Sequence, residues 1–409
     1  MGVGDWHKKV VGGAKNLVGH PPVAVDFGVG SLKILHIAPG EPHSLVAAAC
    51  LDTPDELLND PAKRLAFQME ALPKLIKPLE FRTRRAVCTI PASLAIVKHL
   101  QFTVEKGVTI SDLVQSAIPA QLGCDPGALV YRHTEVGQVG RKTEVICMAA
   151  ARETVQRLMN AMKAAKLEPV GMHSEFHATL RAFDTITRRA EDEKLTSMYL
   201  DMGVGGTKVT IATGRRLAFA RSIDLGGRHL DAIVAKQMNV NLSEARRMRL
   251  QQSEIVRRAV RPSPVPAAVG SPGVEDGSVA VMDDRRQGEP PQGFTPDLTA
   301  QPPLVPSGPR IDLSEALEML TDEVSMCLRY HESLFPDRKV GRTIFLGGEA
   351  RHLGLCQHIA RALKLPAQVG DPMAGLARTG GETMINVDFS QPQPGWAVAL
   401  GLCLSPTDL

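Results

Sequence analysis

The 409-residue sequence has almost no net charge, no paired cysteine motif and no long apolar run, and each absence narrows what the chain can be. With 47 basic against 44 acidic side chains the formal charge is +3, so composition supplies no net pull toward nucleic acid, although local basic patches stay possible. The seven cysteines (Cys50, Cys88, Cys124, Cys147, Cys327, Cys356 and Cys403) include no CxxC pair and have no histidine at metal-ligand spacing. That pattern excludes a zinc ribbon or a disulfide framework and suits buried thiols in a reducing cytoplasm. No stretch approaches the roughly 18 apolar residues of a membrane-spanning helix, so the chain is expected to be soluble by itself. In the first twenty residues, Trp6, Val10, Ala14, Leu17 and Val18 would share one helical face, which suits a membrane surface. Five glycines in the same stretch favour an unstructured leader instead, and no continuous apolar core follows to make it a secretory signal.

What is present is enough apolar sequence, 44%, for two or three domains. From Pro21 the pattern is strand-like: VAVDF, a glycine turn, LKILHI, then LVAAACL. Residues 61–79 have helical spacing with Pro73 and Pro78 as bends or stops, and RAVCTI and LAIVKHLQF follow as strands. Between 103 and 172 a helix near 109–122, two strands, a helix from Glu153 to Lys166 and LEPVGMH read as a compact α/β unit of its own. A helix then leads into SMYLDMGVGGTKVTIA, RLAFARSIDL and a helix near His229, so the order strand, strand, strand, helix starts twice and predicts an internal duplication. Residues 258–310 hold 11 of the 29 prolines and no periodicity, and are expected to be a disordered insert. Order resumes with a helix from Ser314, whose Leu317, Leu320, Val324, Cys327 and Leu328 form a core stripe, and then a strand, a glycine turn and a helix.

The duplication carries a shared pattern, Asp-x-Gly-Val-Gly-[Ser/Gly]-x-Lys, as VDFGVGSLK at 25–33 and LDMGVGGTK at 200–208. Glycines let backbone N–H groups approach a phosphate and form an anion-binding nest. Asp26 and Asp201 then stand beside a polyphosphate, where they would hold Mg²⁺ directly or through water. Ser31 and Thr207 would donate to phosphate oxygens, and Lys33 would offset their charge. One such turn alone is an ordinary hairpin. Two copies on duplicated sheets would let Gly28, Gly30 and Ser31 face Gly203, Gly205, Gly206 and Thr207 across one interdomain cleft. A third turn, Gly347-Gly348-Glu349, follows a strand and opens a helix. It would admit a base or ribose, or simply start a tightly packed helix.

Together these residues resemble the actin, Hsp70 and hexokinase superfamily, with VDFGVGSLK and LDMGVGGTK as the two phosphate motifs and FLGGEARHLGL as the adenosine motif. Within it the order is similar to the PilM-type assembly ATPases of type IV pili, with FtsA as a cousin. TEVICMAAARETVQRLMNAMKAAKLEPVGMHSEFHATLRAF, FARSIDLGGRHL with NLSEARRM, and WAVALGLCL carry the closer likeness. The resemblance implies an α/β fold of duplicated actin-like (RNase H-like) domains flanking a nucleotide cleft, with a small inserted subdomain. In this division a leader occupies 1–20, domain I 21–102, the inserted subdomain 103–172 and a connecting helix 173–196. Domain II takes 197–257 and 311–394 around the insert, and 395–409 returns to domain I. It further implies ATP and Mg²⁺ as ligands and a place at the inner face of the inner membrane. The partners it implies are the N-terminal cytosolic peptide of a PilN-like protein and other pilus assembly proteins, with self-association possible.

Two positions depart from the family pattern. Glu349 stands where a third small residue is usual, and Ala245-Arg246-Arg247-Met248-Arg249 replaces Ala-Glu-x-x-Lys. Either Arg246 and Glu349 form an ion pair across the adenosine pocket, or both face water, where such a pair contributes little. Glu175 on the connecting helix would orient a water toward the γ-phosphate, or else only favour the helix dipole. His173 and His177, with no third ligand, read as packing or surface residues. Turnover is expected to be slow or absent. A small-molecule kinase of the same superfamily is the rival, but it needs a second cleft carboxylate to serve as general base. An FtsA-like filament protein would need a C-terminal amphipathic helix, where this sequence reads LSPTDL.

Overall fold

The computed structural model of the protein describes residues 19–184, 192–260 and 311–407, with 252–260 described by their backbone. The leader up to residue 18, residues 185–191 of the connecting segment and 261–310 of the proline-rich insert lie outside the described residues.

Strands β1 (Val23–Phe27), β2 (Ser31–Ala38) and β3 (Ser44–Asp52) form an antiparallel meander. Helix α1 (Pro61–Ile76) crosses over, and β4 (Arg85–Ile90) returns parallel to β1. Asp60 caps α1 by accepting from the Lys63 N–H at 3.0 Å, and Pro61 fits the first turn, where no N–H is needed. The helix runs through Pro73, which does not stop it, and ends before Pro78.

Next come β5 (Ala95–Phe102), α2 (Ile110–Leu122), β6 (Leu129–Val139) and β7 (Lys142–Ala151), whose sheet order is β5-β7-β6. A Thr109/Asp112 capping box starts α2 and left-handed Gly123 ends it. Its Ile110, Val114 and Ile118 bury against Leu100, Val145 and Cys147 of the sheet. Helix α3 (Arg152–Ala164) and β8 (Glu168–Ser174) rejoin the first sheet, where β8 pairs parallel to β4. The inserted module therefore spans about 95–151 rather than 103–172. Strand β5 has its hydrogen-bond partner in β7, while β8 continues the parallel edge of the first sheet.

Helix α4 (Glu175–Ala182) leads to the second unit: β9 (Thr196–Met202), β10 (Thr207–Thr213), β11 (Arg216–Ile223), α5 (Gly227–Met238), α6 (Leu242–Val260), α7 (Ser314–Leu334), β12 (Val340–Leu346), α8 (Leu353–Leu363) and β13 (Ala367–Val369). Helix α6 includes residues 258–260, which the sequence had placed in the insert. Strand β14 (Thr383–Ile385) already pairs with β3, so the chain returns to the first sheet before residue 395, and α9 (Ala397–Cys403) closes it.

The two sheets have orders β14-β3-β2-β1-β4-β8 and β11-β10-β9-β12-β13. Without β14 these are the same arrangement twice, an antiparallel meander followed by two parallel additions, which is the expected duplication. Phe176 and Leu180 of α4 and Val398 and Leu402 of α9 share one core with Tyr199 and Ile344 of the second sheet, which joins the units. The small module also touches the second unit: His99 bonds the Ala220 carbonyl at 2.8 Å, and Arg338 donates to the Val136 carbonyl at 3.0 Å. Among the described residues no helix is long and apolar enough to cross a membrane.

Candidate functional site

Each glycine turn connects the first two strands of its unit. In the antiparallel register Asp26 stands opposite Lys33, and Asp201 stands opposite Lys208. The turns meet across the cleft. A Cβ on Gly30 would lie 2.7 Å from Val204 Cγ2, and one on Gly205 would lie 2.7 Å from Val29 Cγ2. Only glycine admits that approach, so each valine packs over the second glycine of the other turn.

Behind the turns the charges converge. Lys33 Nζ lies 3.8 Å from Asp26 Oδ2, and Thr89 Oγ1 donates to Asp26 Oδ1 at 3.4 Å. Lys208 Nζ lies 2.8 Å from Asp201 Oδ2 and bonds Glu175 Oε2 as well, which ties the second unit to the start of α4. Asp26, Asp201 and Glu175 are all buried. Burial pushes the Lys208 ammonium down, but Asp201 and Glu175 together more than reverse this and hold it firmly charged.

Several expected roles change in this arrangement. Glu175 accepts from the Ala92 N–H at 2.7 Å through Oε1 and from Lys208 through Oε2, contacts that anchor the start of α4 to both units. Thr207 donates its hydroxyl to the Leu225 carbonyl at 2.8 Å, which fixes the second turn instead of leaving that donor for a phosphate. His173 bonds the Pro406 carbonyl and His177 bonds Ser174, as packing residues do. Among the described residues no group of three His, Cys, Asp or Glu side chains is arranged to hold a metal.

The third turn lies beside the second. Leu346 pairs with Asp201, so Gly347 and Gly348 stand at the carboxyl ends of two parallel strands, where ligands of α/β sheets bind. Gly347 has φ +85°, and a Cβ there would meet the Met202 carbonyl oxygen at 2.2 Å. The Arg246–Glu349 pair does not form. Arg246 reaches across the cleft mouth to Asp55 at 3.3 Å, where Arg228 also donates to Asn59 at 3.2 Å. One turn further along α6, Arg249 takes Glu349 instead: Nη1 binds Glu349 Oε2 at 2.5 Å and Nε binds Asp231 Oδ1 at 2.7 Å, with all three side chains buried. Burial disfavours the guanidinium charge, but the two carboxylates outweigh it and raise its pKa.

Sequence reasoning missed Lys208, although the repeat ends in lysine both times, and it missed Thr89, Asp231 and Arg249. The packing of Val29 on Gly205 and of Val204 on Gly30 had no separate signal beyond its place in the repeat.

No curated protein matches the chain. Among solved structures, the "PilM-PilN type IV pilus biogenesis complex" superposes with a TM-score of 0.67 at 19% identity, covering 94% of this chain and 98% of that one. MreB5 of Spiroplasma citri bound to ADP gives a TM-score of 0.46 at 12% identity, covering 94% and 95%. The ethanolamine utilization protein EutJ of Carboxydothermus hydrogenoformans gives 0.45 at 13%, covering 94% and 89%. The first of these establishes the actin-like α/β fold. The family model described as "Type IV pilus assembly protein PilM" matches residues 24–254, a stretch that contains both aspartate-glycine turns and the inserted module. That stretch is more than half of the sequence, and the chain belongs to the PilM family of type IV pilus assembly proteins.

Proposed function

We propose that the chain is a scaffold at the cytoplasmic face of the inner membrane, where it joins a type IV pilus or related type II secretion assembly by capturing the N-terminal cytosolic peptide of a PilN-like protein. The observation that carries this reading is the family match over residues 24–254. The inserted module supplies a suitable surface. Strand β5 is an edge of its sheet, and Ile96 on it and Val104 and Val108 just after it are exposed apolar side chains. An extended peptide added along β5 would gain main-chain bonds from the edge and apolar contacts from these residues.

ATP with Mg²⁺ is the ligand for which the two turns are shaped. At the phosphate end Asp26 and Asp201 would be the carboxylates for the metal, and the glycine turns with Ser31 and Lys33 would meet the phosphates. A metal at Asp201 would have to displace Lys208. The nucleoside end does not fit as arranged, because Glu349 and Arg249 stand beside Gly347 and Gly348. The role proposed is therefore one of holding partners, and no step of it is routed through ATP.

The test is a pull-down of the full chain with cytosolic tails of inner-membrane pilus proteins, with and without Mg-ATP. Retention of the PilN-like tail is the expected result. Retention of none, together with ATP consumption stimulated by a small-molecule acceptor, would replace the scaffold with the kinase reading.

A further inference from the structure

We infer that the nucleoside end of the cleft is filled by the chain's own Arg249–Glu349–Asp231 ion triad, which excludes ATP from that corner until Glu349 is removed. The inference concerns the cleft alone, and peptide capture by the module does not depend on it.

Three elements meet at this point. Gly227 opens α5 just after β11, and its N–H donates at 3.0 Å to the carbonyl of Gly203 in the second glycine turn. A Cβ on Gly227 would lie 2.0 Å from Glu349 Oε1 and 3.2 Å from Arg249 Nη2, so the charged pair sits directly on the glycine backbone. Glu349 belongs to the short 3₁₀ turn after Gly347, at the carboxyl end of β12. Arg249 is delivered from α6 and is 1% exposed, and Asp231 comes from α5 and is 4% exposed. The guanidinium thus bridges α5, α6 and the third turn, and fills the angle between them.

A base and ribose entering this corner would have to move Arg249 off two carboxylates and leave those buried charges uncompensated. Breaking a buried pair in this way lowers ligand affinity by roughly a hundredfold or more. Other contacts within the chain also span the cleft. Val29 and Val204 fill the gap between the phosphate turns, Lys208 ties Asp201 to Glu175, and Asp55 and Asn59 hold Arg246 and Arg228 across the mouth.

The test uses the full chain and a fluorescent ATP analogue with Mg²⁺, in three forms: wild type, Glu349→Ala, which removes one of the two carboxylates that hold Arg249 in the corner so that a nucleoside can displace it, and Glu349→Gln, which keeps a side chain of the same size there. The expected result is no saturable binding by the wild type or by E349Q up to about millimolar analogue, and at least about tenfold tighter binding by E349A. Hydrogen exchange of the wild-type segments 225–231 and 346–352 is expected to be unchanged by Mg-ATP. Micromolar binding by the wild type, with protection of those segments, would overturn the inference, as would a folded E349A with no gain. If E349A does not fold, the wild-type binding and exchange decide the matter by themselves.

Discussion

Burial pushes the Asp26 carboxyl up, to about 6, with Glu175 and Asp201 adding to the rise and Lys33 and Lys208 opposing it. Because this lies above the ordinary aspartate value of 3.8, folding disfavours the ionised form. The penalty is absent below about pH 4, accumulates between about 4 and 6, and stays constant above that. Asp26→Asn should therefore gain on the wild type by about 1 kcal/mol on going from about pH 5 to about pH 7.5. Urea unfolding of both proteins at the two pH values measures this, and a stability difference that does not move with pH would show that burial is not what sets Asp26. Residue by residue, the aspartates and glycines of the turns were legible because the repeat marked them. Arg249 was not, since Arg246, Arg247 and Arg249 share one helix and one-dimensional spacing does not say which of them turns inward.

At the scale of elements, the contact between the two glycine turns is the most specific claim. Gly205→Ala would push a methyl group into Val29, and overpacking of this kind costs about 1–3 kcal/mol. Adding Val29→Ala should recover about 1 kcal/mol or more of that loss, a coupling that only neighbouring residues show. A double-mutant cycle by chemical denaturation reads it directly, and additive losses would place the turns apart. The strand order of the meanders was readable from alternating apolar residues and local turns. The partnership of β8 with β4 and of β14 with β3 was not, because these pairs join distant stretches and no local pattern records a register set by tertiary packing. For the same reason the small module began and ended elsewhere than its sequence boundaries suggested.

At the scale of the whole molecule, two copies of one sheet arrangement face each other, and the chain's own charges hold the gap between them. Buried pairs such as Lys208–Glu175 and Arg249–Glu349 contribute little net stability against an apolar replacement, but losing one partner is costly, so they fix one arrangement more than they strengthen it. A rigid frame suits the scaffold role proposed above. The duplication and the family were legible in the sequence. The contacts across the cleft were not, since they depend on which side chains meet across a gap that only the fold creates.

The central claim is that contacts within the chain, Arg246 on Asp55 and Arg228 on Asn59, hold the cleft mouth together, and its most direct measurement is a pulsed electron-spin distance between labels at Glu56 and Arg247, on opposite sides of the mouth, with Cys50 and Cys124 replaced. A single narrow, short distance that is the same with and without Mg-ATP is the predicted result. A broad distribution without nucleotide that narrows and shortens when Mg-ATP is added would contradict it.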